Sequence, residues 1–217
     1  MGCGDCLNQL YAVYGINDSI EWDKLPNSFA MKLNTGAGFV HICHNKSIEL
    51  KQCKALVSQW KDYDHVWLSS GEMHYEAISP MIVFEKVLDL SQMDDAEDYK
   101  VYCFNGEPKA VLVISDRHSA EGWNIYFMST DWDYLGMPEK FNESQPRRLA
   151  RKPTCLDEML EIAKDLSQPF PFVRIDFYVV DNRPVFGEMT FTPRSCIMVH
   201  EIDLDGTSMG SLLGDVC

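Results

Sequence analysis

The feature that most constrains this chain is the stretch "FVRIDFYVVDNRPVFGEMTFTPR", residues 172–194, in which apolar and charged residues alternate along two strand-like runs joined by a short polar loop. Strand side chains alternate between faces, so Ile175, Phe177 and Val179 share one face of the first run while Arg174, Asp176 and Tyr178 share the other. In the second run Val185, Gly187, Met189 and Phe191 alternate with Phe186, Glu188, Thr190 and Thr192. A two-residue loop at Asp181-Asn182 would pair Val180 with Arg183 and leave Asp176 opposite Gly187. A three-residue loop ending at Arg183 pairs Val180 with Pro184 and sets Asp176 opposite Glu188 and Arg174 opposite Thr190. It also gathers Ile175, Phe177, Val179, Val185, Met189 and Phe191 onto one apolar face, which a one-residue slip would scramble. The longer loop is therefore expected, with one dry face and one chemical face.

Two facing carboxylates repel unless something cationic lies between them, and hard oxygen ligands of this kind suit a magnesium ion shared with phosphates. Without that ion they form a like-charge pair. Neutralising either one is then expected to abolish activity and raise the stability of the metal-free protein. The ordinary alternative is a surface strand pair with an Arg-to-carboxylate contact.

Composition narrows the rest. A chain of 217 residues, 46% hydrophobic, is long enough for one globular unit of one or two lobes. A formal net charge of -14 argues against nucleic acid or an anionic membrane as partner, because both call for clustered Lys and Arg, and "RRLARK" at 147–152 is too short to reverse it. No apolar run approaches the ~20 residues that span a bilayer, and no signal peptide is legible, so a cytoplasmic location is expected. Cys43 and Cys103 fall in strand patterns and Cys53 in a helix pattern, which favours reduced thiols over disulfides. Cys3 and Cys6 form a C-x2-C pair, but no second pair follows at zinc spacing.

Along the chain, "FAMKLN" (29–34) and "GFVHIC" (38–43) read as strands around the loop "NTGAG", whose Gly36 and Gly38 permit tight backbone near a ligand. Leu50, Cys53, Val57 and Trp60 have helical spacing over 49–63, and "MIVFEKVLDL" (81–90) is a buried strand that turns polar. Asn105-Gly106 joins "YKVYCF" and "KAVLVIS" as a hairpin, "WNIYFMST" is a further strand, and a long polar connection follows. Thr154 is expected to cap a helix, with Asp157 completing a capping-box variant. Strands dominate, with a helix in each half: an α+β chain of two lobes, residues 1–88 and 89–217.

Several residues stand where nucleotide chemistry would need them. Lys32 ends a strand just before the glycine loop, where an ammonium and backbone N–H groups can cradle phosphates, although a lysine at a strand end is often only solvated. In "FEKVL", Glu85 is followed by Lys86, Val87 and Leu88, whose backbone could bond a flat heterocycle where the strand stops; a surface Glu-Lys pair is the plain alternative. Asp98 and Lys100 flank a tyrosine, an acid suited to ribose hydroxyls and a lysine suited to phosphate.

The order of these elements, with "WDKLPNSFAMKLNTGAG", "YKVYCFNGEPKAVLV", "FPFVRIDFY" and "FGEMTFTP", resembles the ATP-grasp superfamily, and within it the TupA-like ATP-grasp proteins of polysaccharide biosynthesis. The resemblance implies an ATP-grasp fold whose two lobes, with antiparallel sheets, enclose ATP. It also implies Lys32 and Lys100 on the phosphates, Glu85, Lys86 and Leu88 at adenine, and Asp98 on the ribose. Asp176 and Glu188 would carry Mg2+, with Thr190 where the wider superfamily has an asparagine ligand, and Arg174 and Lys100 would act in catalysis. Arg194 stands where glycine is expected. The implied activity is a carboxylate-amine ligase working through an acylphosphate on small-molecule carboxylate and amine substrates, a sugar acid or an amino acid. The alternatives are a kinase acting on a hydroxyl and a catalytically silent nucleotide- or sugar-binding module. Because the family text starts almost at once, the acceptor site is expected to be incomplete or finished by another chain, such as a second copy.

Overall fold

Alternating apolar residues build two antiparallel sheets, each covered on one face by a helix. The computed structural model describes residues 6–36, 38–62, 71–89, 98–116, 120, 122–138, 146, 148–193, 203–204 and 207–213. The chain divides into two compact units, Asn8–Leu88 and Asp89–Cys217, the second joined by the residues ahead of Asn8. The mixed α+β class inferred from sequence is the one observed. Arg194 and Cys3 lie outside the described residues. Among the described residues no helix is long and apolar enough to cross a membrane.

In the smaller unit the strands are β1 (Leu10–Gly15), β2 (Phe29–Leu33), β3 (Val40–Cys43) and β4 (Met81–Glu85), ordered β1-β4-β2-β3. Helix α1 (Lys46–Lys61) buries Cys53, Val57 and Trp60 in one core with Phe29, Met31, Leu33, Ile82 and Phe84. It begins three residues before the expected position 49. The reason is an N-cap: the Asn45 side chain accepts from the Ser47 N–H at 3.1 Å, and Glu49 reaches back to the N–H groups of His44 and Asn45 at 3.0 and 2.8 Å. Since Met31 and Phe84 point to the helix, Lys32 and Glu85 are left to the opposite face.

The larger unit holds a sheet of order β10-β9-β5-β6-β7-β8. Its strands are β5 (Asp98–Phe104), β6 (Glu107–Ser115), β7 (Asn124–Ser129), β8 (Tyr134–Gly136), β9 (Phe172–Val180) and β10 (Arg183–Thr190). A small ladder, β11 (Asp203–Leu204) with β12 (Thr207–Ser208), follows. The β5–β6 turn has Asn105 and Gly106 at φ 51° and 79°, as an Asn-Gly hairpin requires. Helix α2 (Leu156–Ser167) packs on one face, with Leu156, Met159 and Ala163 against Val101, Ile175 and Phe177. Thr154 is not its cap. The N-cap is Cys155, no side chain bonds there, and Asp157 and Glu158 instead place negative charge in the first turn, where the helix dipole favours it. Strand β8 was not legible in sequence because three residues carry too little alternation to register. The other sheet face carries Tyr102, Leu112, Ile125 and Phe127, with Met209 from the C-terminal segment packed against them.

The β9–β10 hairpin corrects one expectation while preserving its consequence. Its loop has two residues, not three: Val180 pairs with Arg183, and Asp181 and Asn182 take φ 53° and 58°. Aspartate and asparagine both tolerate the left-handed region, so this is a workable primed turn. Asp176 nevertheless lies opposite Glu188 and Arg174 opposite Thr190, because the register shifts between Phe186 and Glu188. Gly187 is bulged out of the ladder and takes up the extra residue. A Cβ there would meet the Asp176 carbonyl oxygen at 3.0 Å and Tyr178 Cε2 at 3.3 Å, so the bulge suits glycine. The residues ahead of the bulge change face as a result: Phe186, not Val185, joins the core, edge-on to Phe177 at 6.4 Å.

Candidate functional site

Antiparallel pairing in the larger unit brings together side chains far apart in sequence. Lys100 on β5 is the cross-strand partner of Asp176 on β9, and Asp176 is in turn opposite Glu188 on β10. The result is a charged platform on the sheet face away from α2, built on three adjacent strands. Rigid strands hold each backbone, so the geometry depends little on loop conformation.

Asp176 is the hub. Arg174 grips it with two N–H groups, Nε to Oδ1 at 2.6 Å and Nη2 to Oδ2 at 2.7 Å, and Lys100 Nζ bonds the same Oδ2. Lys100 also lies 3.6 Å from Asp98. Arg174 Nη2 reaches on to Thr190 Oγ1 at 3.0 Å and, more weakly, to Glu188 Oε1 at 3.4 Å, while Thr190 Oγ1 is 3.2 Å from Glu188 Oε1. The Asp176, Arg174 and Lys100 side chains are only 6%, 12% and 12% exposed, whereas that of Glu188 is 58% exposed.

The charge states follow from this packing. Burial alone would raise the Asp176 pKa, but the Arg174 and Lys100 charges outweigh it and hold the carboxyl below its ordinary range. Burial would lower the Arg174 pKa, but Asp176 outweighs it and raises the guanidinium above its usual value. Glu188 moves upward, through loss of water around its carboxyl and through the adjacent Asp176 charge. Since its side chain keeps more than half its surface, the like charge is the cause that carries more weight. Asp176 is thus a compensated anion, and Glu188 is the carboxylate left short of positive charge.

In the smaller unit Lys32 Nζ donates to Glu85 Oε2 at 2.8 Å, both side chains being partly exposed, and Asn8 Nδ2 lies 3.4 Å from the same oxygen. The structure therefore joins Lys32 and Glu85, which the sequence assigned to different parts of a nucleotide. It also removes Lys86 as a free backbone edge, because its N–H donates to the Gln9 carbonyl at 2.9 Å and its carbonyl accepts from Asn8 Nδ2 at 2.8 Å. Gly36 and Gly38 adopt φ of 79° and 87°, and a Cβ at Gly38 would touch nothing within 4 Å, so the loop is open there. Asp98 sits inside the platform beside Lys100, nearly buried. Three contributors escaped the sequence reading: Asn8, the Gly187 bulge, and Tyr102, which lies opposite Arg174 and two residues beyond Lys100 on the same face. The strand alternation could have pointed to Tyr102.

A separate groove of about 370 Å³ in the larger unit, lined by Lys109, Asp131, Leu135, Leu204 and Leu212 among others, includes none of these residues. Among the described residues no three His, Cys, Asp or Glu side chains form a group that could hold a metal.

Similarities to known proteins are remote in sequence. The D-alanine–D-alanine ligase of Helicobacter pylori matches with 14% identity over 97% of this chain and 57% of that one, at a TM-score of 0.47. The corresponding Bacillus anthracis ligase matches with 14% identity over 86% and 51%, at 0.45. The ATP-grasp ligase PsnB complexed with its minimal precursor matches with 12% identity over 84% and 47%, at 0.44. The chain spans about half the length of these proteins. No curated protein matches it. The family model of the TupA-like ATP-grasp proteins, by contrast, matches residues 12–215, nearly the whole chain, and the chain belongs to that family.

Proposed function

We propose that this chain is an ATP-dependent ligase that joins a carboxylate to an amine through an acylphosphate, with a sugar acid or an amino acid as the carboxylate substrate. The observation that carries this reading is the platform itself: two part-buried cations held by Asp176 beside a carboxylate, Glu188, that lacks a full counter-charge. Family membership supports ATP as the phosphoryl donor.

Magnesium fits the donor set. Asp176 and Glu188 offer hard oxygens on neighbouring strands, and the upward shift of Glu188 marks a site where added positive charge would be favourable. Beyond Asp176 and Glu188, phosphate and water oxygens would fill the remaining positions, which is magnesium's habit. When bound, the ion would neutralise charge on the phosphates.

The chain's own residues divide the remaining work. Arg174, held by both Asp176 oxygens, presents a fixed guanidinium toward negative charge that grows as the carboxylate oxygen attacks the γ-phosphorus and ADP departs. Lys100, tethered by Asp98 and Asp176, supplies a second cation for the phosphates. In the smaller unit Lys32 would leave its 2.8 Å pair with Glu85 to serve the phosphates near Gly36 and Gly38, while Glu85 and the backbone at Val87 and Leu88 meet adenine. The amine then attacks the acyl carbon and inorganic phosphate leaves.

The test is a screen of sugar acids and amino acids with amines, ATP and magnesium, using carboxylates labelled with ¹⁸O. A ligase of this type transfers one labelled oxygen to the released phosphate. Turnover that keeps phosphate on a product hydroxyl, or phosphate release without label, would refute the acylphosphate route.

A further inference from the structure

Thr190 occupies the position where a third metal-ligating oxygen is expected, but its hydroxyl already makes two hydrogen bonds within the platform. It is 7% exposed, and its Oγ1 lies 3.0 Å from Arg174 Nη2 and 3.2 Å from Glu188 Oε1. The direction of each bond follows from what the partners can do. A guanidinium has only donors, so the Arg174 N–H must point at the hydroxyl oxygen. An ionised carboxylate has only acceptors, so the hydroxyl proton must point at Glu188. A hydroxyl has one proton, and this one is used. Backbone pairing enforces the arrangement, since Thr190 is the cross-strand partner of Arg174 and lies two residues from Glu188 on the same face. These two bonds use the proton and one of the two lone pairs, so Arg174 orients the hydroxyl and its proton is aimed at Glu188.

We propose that Thr190 is a positioning residue: it takes a hydrogen bond from Arg174, gives one to Glu188, and so fixes the direction in which the Glu188 carboxylate faces, contributing to metal binding only through Glu188. This rests on the metal assignment of the proposed function. A second prop is the long 3.4 Å approach of Arg174 to Glu188, too weak to orient the carboxylate alone. The largely exposed Glu188 side chain would otherwise sample several rotamers.

The test is a double-mutant cycle between Thr190→Val, which keeps shape and removes the hydroxyl, and Glu188→Ala, which removes the acceptor. Two readouts are taken: affinity for Mn2+ alone, followed by the electron paramagnetic resonance of the free ion, and the urea unfolding midpoint. Thr190→Val is expected to weaken Mn2+ binding roughly five-fold, the scale of one hydrogen bond, with Thr190→Ser restoring it to within about two-fold. In the Glu188→Ala background the valine substitution is expected to change nothing further. An equal loss in both backgrounds would make Thr190 an independent ligand and overturn the proposal, as would unchanged affinity in the single Thr190→Val variant. If Glu188→Ala alone left Mn2+ affinity intact, the metal assignment would fall. The unfolding cycle then decides the positioning role separately: coupled effects uphold it, and additive effects overturn it.

Discussion

Neutralising the two facing carboxylates should have opposite consequences for stability, although sequence alone treats them as equivalent. Asp176→Asn keeps the shape but leaves Arg174 and Lys100, each 12% exposed, without their main counter-charge. Breaking a buried ion pair by removing one partner costs roughly 3–5 kcal/mol. The lower end applies here, because Glu188 remains 3.4 Å from Arg174 and Asp98 remains 3.6 Å from Lys100. At about 2–4 °C per kcal/mol for a chain of this size, a loss of about 3 kcal/mol lowers the melting temperature by roughly 6–12 °C. Glu188→Gln removes a like charge from an exposed side chain and should change stability by under about 0.5 kcal/mol, on the stabilising side.

The pH dependence carries the same signature. The Asp176 pKa is lowered by folding, so its stabilisation is present above the unfolded value and is lost only as pH falls through the folded one. The Glu188 pKa is raised, so the folded state binds its proton more tightly, and stability falls as pH rises from the unfolded value of ~4.3 through the folded one. Thermal melts of the metal-free protein and both variants from pH 4 to 7 would show that second slope in wild type and not in Glu188→Gln. If Asp176→Asn melts at or above wild type at pH 7, Asp176 is not the hub, and the like-charge reading of the hairpin returns.

Lys32→Ala should weaken ATP binding by about ten-fold or more in calorimetric titration while leaving the melting temperature nearly unchanged, because its pair with Glu85 is partly exposed and worth about 1 kcal/mol at most. Unchanged nucleotide affinity would mean that the glycine loop serves something else. Gly187→Ala drives a methyl group against the Asp176 carbonyl and should destabilise by roughly 1–3 kcal/mol; a fully stable variant would show that the bulge tolerates any residue. The buried Cys53 and Cys103 thiols, pushed by desolvation to about 12 and about 11, should resist alkylation at pH 8 in the folded protein, and labelling as fast as in urea would contradict their burial.

Much of this site was legible in the chain because strands have a period of two. The alternation around Asp176 and Glu188 placed both on one face, and burial of Ile175, Phe177 and Met189 admitted only a register that brings them opposite. The Asn105-Gly106 turn was equally local, since left-handed backbone at both positions favours that pair. What one-dimensional pattern could not supply was the route to the same register: a two-residue loop plus a bulge and a three-residue loop both satisfy it, and only the three-dimensional pairing, Val180 with Arg183 and a shift at Gly187, distinguishes them.

Nor does a charge announce its partner. Lys100 and Asp176 are 76 positions apart, Lys32 and Glu85 53, and Asn8 and Lys86 78, and nothing periodic links them. Chain alternation determined which faces would be dry and which charged. Tertiary pairing decided that Asp176 is neutralised while Glu188 is not, because ion pairing depends on distance and desolvation in three dimensions, and both arise only when strands remote in sequence come to lie side by side.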